Sequence, residues 1–163
     1  MKVLLQETAS GKTSEALIAE AHWEDTPSRK NGWQFTWRKL FKTEGALFFR
    51  LARTDTPGQT EGLIMLTLIN NEMLYMNDIE VAPHNIGSGG KFENVAGCLL
   101  AFACYKSFEL GTGPYQGYLS FDSKTQLIEL YQERYGATFA MGQKMFFDPK
   151  AGKKLMKQYL NIS

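Results

Sequence analysis

The residues best suited to chemistry lie between Val81 and Ala103. Val81-Ala82-Pro83 closes an apolar stretch. The segment His84–Asn94 follows with Gly87, Gly89 and Gly90, and Val95-Ala96-Gly97-Cys98-Leu99-Leu100-Ala101-Phe102-Ala103 opens a long apolar run. A strand that leads through a glycine-bearing loop into a helix presents backbone amides with no partner in the helix, at the positive end of its dipole. Glycines let a bulky anion come close to those amides. Together these features describe a site for phosphate or pyrophosphate, held by the N–H groups of Asn94, Val95, Ala96 and Gly97. Lys91 can add a point charge. The competing reading is an ordinary helix start capped by Asn94, with Lys91 in solvent.

Other reactive side chains are few. Asp78 and Glu80 alternate with Ile79 and Val81, so if the apolar pair faces the core, both carboxylates project from the opposite face. His84 follows Pro83 and is either a base or a loop residue. Cys98 and Cys104 share one predicted helix and stand about 9 Å apart along it, too far for a disulfide. With His22 and His84 as the only histidines, no zinc site is expected. Ser10-Gly11-Lys12-Thr13 has the end of a P-loop, but the position of its first glycine is Gln6. Lys150, Lys153, Lys154 and Lys157 give the tail one basic face, a pattern that usually marks a solvated surface.

These residues need elements to position them. A chain of 163 residues with 44% hydrophobic and 13% aromatic content supports one domain, residues 1–163, with a proper core. The formal net charge of +1 gives no broad hold on nucleic acid or membrane. No apolar run reaches the length of a membrane span, and Glu7 interrupts any signal-peptide core. A cytoplasmic location is expected. Ala16, Leu17, Ile18, Ala19 and Ala21 predict a short helix within 10–22. Trp33–Phe41 fits a strand or a helix. Strands are predicted at 46–54, 62–70 and 73–81, joined by turns at Asp55-Thr56-Pro57-Gly58 and Asn70-Asn71-Glu72. A helix over about 92–110 stops at Gly111-Thr112-Gly113-Pro114. A strand at 115–121, a helix over 124–135 capped by Ser123 and ended by Gly136, a strand at 138–147 and a tail helix at 150–160 complete the order.

With that order in place, residues 45–147 resemble the GCN5-related N-acetyltransferases. The motif of that superfamily is a strand ending V-x-P, then Q/R-x-x-G-x-G/A at a helix start. Val81-Ala82-Pro83 matches the first part, Lys91-Phe92-Glu93-Asn94-Val95-Ala96 stands at the second, and Leu99-Leu100 follows. Leu130-Tyr131-Gln132-Glu133-Arg134-Tyr135-Gly136-Ala137 approximates the later tyrosine signature. The helix start, the long alanine- and phenylalanine-bearing helix and the Ser120-Phe121 strand end are similar to a divergent bacterial subgroup. The sequence departs from the motif at Lys91 and Asn94, and in about five extra residues before Lys91. Asn94 tolerates positive φ, which would preserve the turn.

The resemblance implies an α/β (α+β) fold with a central mixed, mostly antiparallel sheet flanked by helices. It implies acyl-coenzyme A-dependent N-acyl transfer, with acetyl-coenzyme A as cosubstrate, no metal, and a primary amine as acceptor. Val81, Lys91, Asn94, Val95, Ala96 and Gly97 would contact the coenzyme. Tyr131 would protonate the leaving thiolate, Glu80 would take the proton of the amine, and Asn77 or Asp78 would orient substrate. Each has a plainer reading: Tyr131 as a core tyrosine, Glu80 as an exposed strand acid. The alternative function is an inactive coenzyme-binding or partner-binding module, which the altered phosphate motif favours. A toxin-type enzyme acting on charged transfer RNA is disfavoured by the near-neutral charge. No nucleic acid or membrane partner is expected, and a homodimer is allowed. Trp23, Trp33, Phe35 and Trp37 either form core or line an acceptor cleft.

Overall fold

A computed structural model describes residues 1–162. In chain order the elements are β1 (Lys2–Gln6), β2 (Thr13–Glu20), a one-turn α1 (Trp37–Leu40), β3 (Leu47–Arg53), β4 (Thr60–Ile69), β5 (Met73–Val81), α2 (Val95–Leu110), β6 (Leu119–Asp122), α3 (Ile128–Tyr135), β7 (Thr138–Met141), β8 (Lys144–Phe147) and α4 (Pro149–Leu155). The strands form one eight-stranded sheet in the order β1-β2-β3-β4-β5-β6-β8-β7. The β5–β6 pair is parallel, and the β1–β2, β2–β3, β6–β8 and β7–β8 pairs are antiparallel. This is the expected mixed, mostly antiparallel class.

Two compact units divide the chain, Met1–Met65 with Asp78–Leu99, and Leu66–Asn77 with the chain from Leu100 on. In the first, the predicted helix within 10–22 is instead β2, paired with β1 from Lys2↔Leu17 to Gln6↔Thr13. Alternation decides it: Ala16 and Ile18 are buried while Leu17 is exposed, a period of two that the cluster of small apolar residues hides. Ser10-Gly11-Lys12 lies in the turn joining β1 and β2, with Gly11 at φ 72°.

The aromatic segment is largely core. Trp33, Trp37, Phe48, Leu63, Met65, Ala21 and Ala82 pack together, with Phe35 and Phe41 against them; Trp23 stays exposed. Close packing also fixes the start of α2. A Cβ added to Gly62 would lie 2.8 Å from Leu99 Cδ1 and 2.9 Å from Val95 Cγ1, so only glycine lets the helix sit so near β4.

In the second unit, β5 pairs β6 over Leu74–Met76 against Leu119–Phe121. Residues 138–147 fold as a hairpin rather than one strand, turning at Gly142 with φ 59°. Ser123 is no helix cap: its hydroxyl donates to Lys124 O, and α3 begins later, at Ile128. Gly136 closes α3 in the left-handed conformation, as its position predicts. Cys98 and Cys104 are buried thiols; burial pushes Cys98 up to about 12 and also raises Cys104. Neither is poised as a thiolate nucleophile.

Candidate functional site

The loop after β5 is tied down by its own main chain. Gly90 N–H donates to Gly87 O, Lys91 N–H to His84 O, Phe92 N–H to Asn85 Oδ1 and Glu93 N–H to Gln6 O. Those amides are therefore spent before any anion arrives. Gly90 is a steric necessity here, since a Cβ would meet Asn85 O at 2.5 Å. The α2 helix starts at Val95, not Phe92, with Cys98 N–H bonded to Asn94 O at 3.0 Å. The first-turn amides of Val95, Ala96 and Gly97 precede that bond and have no intrahelical acceptor. Ala96 and Asn94 are half-buried, whereas Val95 and Gly97 are buried.

Asn94 does not take positive φ. Its side chain instead works as a strand residue: Oδ1 accepts Gln6 N–H at 2.9 Å and Nδ2 donates to Leu4 O at 2.8 Å. One carboxamide thus pairs with the main chain of β1 and fixes where the helix begins. Lys91 Nζ lies 5.4 Å from the centre of the buried Phe92 ring, and the Arg53 guanidinium lies 5.3 Å from the same centre. Arg53 was not foreseen; only β3 and the loop meeting at one ring bring it there.

The carboxylates of β5 do not project into solvent as the alternation argument predicts. Glu80 shares the strand parity of the buried Leu74 and Met76, and the aromatic segment closes over its carboxylate. Its Oε2 accepts Gln34 N–H at 2.6 Å, and Oε1 accepts Phe35 N–H at 3.1 Å and Trp37 Nε1–H at 2.8 Å. A carboxylate with three donors is an anchor for the segment 34–37, with its acceptor positions largely filled. Asp78, half-buried on the same face, has its carboxyl raised above the ordinary value by burial and then by Glu80.

A second buried carboxylate, Glu61 at the start of β4, is 1% exposed. Its Oε1 stands 2.6 Å from His84 Nε2 and accepts Asn85 Nδ2–H at 3.0 Å. Glu61 was also missed from the sequence. The available signal was its parity: Glu61, Leu63 and Met65 share one face of a strand, so burial of the apolar pair implies burial of the acid. His84, one-third exposed at its side chain, lines a pocket of about 480 Å³ with Glu24, Asp25, Trp33, Gln59 and Pro83.

In the second unit, Tyr131 packs its ring 4.8 Å from Phe121 and 6.2 Å from Tyr135. Burial, then Tyr135, raises its phenol above the ordinary value, which keeps it protonated near neutral pH. The basic tail face meets Arg134 and Tyr135 around a groove of about 780 Å³. Among the described residues no group of three or more candidate metal ligands occurs. No helix of the described residues is long and apolar enough to cross a membrane.

No protein-family model matches the sequence, and no curated protein does. Solved structures do match. A GNAT family acetyltransferase from Elizabethkingia anophelis with acetyl-CoA bound is similar at TM-score 0.53 and 15% identity, over 77% of this chain and 78% of that one. The AtaTR complex bound with acetyl-CoA aligns at TM-score 0.56 and 12% identity, over 86% of this chain and 98% of that chain. A chain of the KacTA–DNA complex aligns at 0.58 and 10%, covering 88% of this chain and 99% of its own. At these identities the likeness establishes architecture, and function is argued from the site. The chain has the fold of the GCN5-related N-acetyltransferase superfamily.

Proposed function

We propose that this chain is an acyl-coenzyme A-dependent N-acyltransferase that moves an acetyl group to a primary amine. The observation that carries the reading is the passage from β5 through Pro83 to the unpaired amides at the start of α2, in a fold whose solved relatives include acetyl-CoA complexes. The pyrophosphate would lie on the amides of Val95, Ala96 and Gly97, with Asn94 setting the helix start rather than donating from a turn. Lys91 would add charge beside it, whereas the Arg53 guanidinium is already paired with Asp55 Oδ2 at 3.0 Å.

The thioester would sit along β5. Ala82 N–H goes to Glu61 O at 2.8 Å, so by strand alternation Val81 N–H faces the other edge of β5. The parallel ladder on that edge covers only Leu74–Met76. An amide at Val81 can then polarise a carbonyl as charge develops on its oxygen. Tyr131, kept neutral, would donate its proton to the departing thiolate. Glu80 would act by fixing the aromatic segment, because three donors hold its carboxylate.

A second reading, a coenzyme- or partner-binding module without turnover, is favoured by the number of loop amides already satisfied inside the protein. Thermal shift and calorimetry with acetyl-coenzyme A, followed by free-thiol release over a panel of amines, separate the two. Stabilisation with thiol release supports the enzyme, stabilisation without it supports the module, and no stabilisation removes both. Ala96→Asp is expected to abolish coenzyme binding by placing a carboxylate beside the phosphates; wild-type affinity would remove the helix start from the site. Tyr131→Phe is expected to slow turnover with coenzyme affinity nearly unchanged, and full activity would remove the phenol from the mechanism.

A further inference from the structure

The acyl-transfer reading leaves the proton of the amine without a taker, since Glu80 is committed to Gln34, Phe35 and Trp37. Next to it stands an arrangement that fits the task. Glu61 is buried and accepts from His84 Nε2 at 2.6 Å, while Asn85 Nδ2 donates to the same oxygen and to Glu61 O at 3.2 Å. A buried carboxylate on one ring nitrogen places the proton there and leaves Nδ1 with its lone pair. The carboxylate also stabilises the imidazolium that forms when Nδ1 takes a proton, the logic by which an acid orients a histidine base.

The surroundings select what approaches. The 480 Å³ pocket that His84 lines is bordered by Glu24 and Asp25 from the turn 23–25. Asp25 is already engaged, by His22 N–H at 2.8 Å and by Arg50 Nε at 3.9 Å. Glu24 is exposed and forms no ion pair within the described residues. Besides His84, the charged residues lining the pocket are Glu24 and Asp25, and Asp25 is held by Arg50 of β3. A lining with two carboxylates and no lysine or arginine favours a cationic ligand.

We infer that this pocket is an acceptor site for a cationic amine carrying a second positive group, that Glu24 meets the distal charge, and that His84, positioned by Glu61, accepts the proton of the amine to be acylated. The proton placement rests on the acyl-transfer reading; the pocket's preference for a cation does not. In the reaction, an ammonium gives one proton to Nδ1, and the freed amine forms a C–N bond to the thioester carbonyl. The C–S bond breaks, and the thiolate takes the remaining amine proton. His84 releases its proton to solvent, so amide, thiol and one proton are the products.

The test uses the full chain, with 1,4-diaminobutane and 4-aminobutanoate as probes that differ in distal charge. In ¹H–¹⁵N spectra of the imidazoles, the diamine is expected to move the His84 signals at a concentration at least tenfold below that needed for 4-aminobutanoate, and Glu24→Gln is expected to shrink that ratio. Unmoved His84 signals, or equal response to both probes, overturn the pocket. With acetyl-coenzyme A and the diamine, His84→Gln is expected to lower kcat/KM by about 10²–10⁴-fold while leaving the coenzyme's thermal shift intact. Glu61→Gln keeps an oxygen for Asn85 and His84, so its folding should hold; its kcat is expected to fall with KM for the diamine nearly unchanged, because the imidazolium loses its countercharge. An unchanged kcat in both variants overturns the proton-transfer role. Absence of any thermal shift by the coenzyme in the unmodified chain sinks the acyl-transfer reading alone, because the diamine titration does not use it.

Discussion

Glu61 and Glu80 carry the same side chain on neighbouring strands, both buried, and their surroundings give them opposite parts. The donors to Glu80 are two main-chain amides and an indole, none of which titrates near neutral pH. The donors to Glu61 are a carboxamide and an imidazole, and the imidazole can gain or lose a proton. One carboxylate is a strut that holds a loop; the other is half of a proton relay. Burial and charge alone do not separate them. Their partners do.

The sharpest way to break the comparison is Glu80→Ala. It leaves three buried donors unpaired, and a loss of about 3–5 kcal/mol in urea unfolding is expected; a loss below 1 kcal/mol would deny the strut. The conservative pair comes next. Glu80→Gln points an amide NH₂ at an N–H that needs an acceptor and should cost about 2 kcal/mol, whereas Glu61→Gln retains its accepting oxygen and should cost less than about 1 kcal/mol. Equal costs would erase the distinction. Trp37→Phe removes one donor and part of a packed ring, for an expected loss of about 1–3 kcal/mol, with the tie to Gln34 and Phe35 kept.

The smallest effect concerns Asp78, a carboxylate with neither kind of partner among the described residues. Its raised pKa means that the folded chain holds the proton more tightly than the unfolded one. Stability contributed by this group is therefore present below the unfolded value near pH 4 and lost as pH rises through the folded value. Asp78→Asn is expected to raise Tm modestly at pH 7 and to leave it unchanged near pH 3. A fall at pH 7 would reveal a partner that the carboxylate has in solution.

The meander was legible because its signals are local. The nearly continuous apolar run of Gly62–Ile69, the alternation of Asp78-Ile79-Glu80-Val81, and Asn70-Asn71 at φ 52° and 58° specify strands and a turn without reference to anything distant. The long α2 and its stop at Gly111 were equally readable. β2 was not, because Ala16-Leu17-Ile18-Ala19 satisfies a helical stripe as well as an alternating one, and the choice is made by pairing with β1. The site was legible in outline only. A strand, a loop and a helix start can be recognised from type and spacing, but the fate of Glu80 depends on Gln34 and Trp37, more than forty positions away. The same holds for Asn94, whose type suggested a turn and whose bonds serve an edge strand.

That carboxamide bridge from Asn94 to Leu4 and Gln6 spans about ninety positions of sequence. Segments that meet only across so long a stretch of chain come together late in folding, after local hairpins have formed. The helix start proposed to grip the coenzyme is thus seated by the earliest-synthesised strand of the described chain. A truncation that trims β1 should therefore silence ligand binding while leaving the far hairpin of β7 and β8 intact.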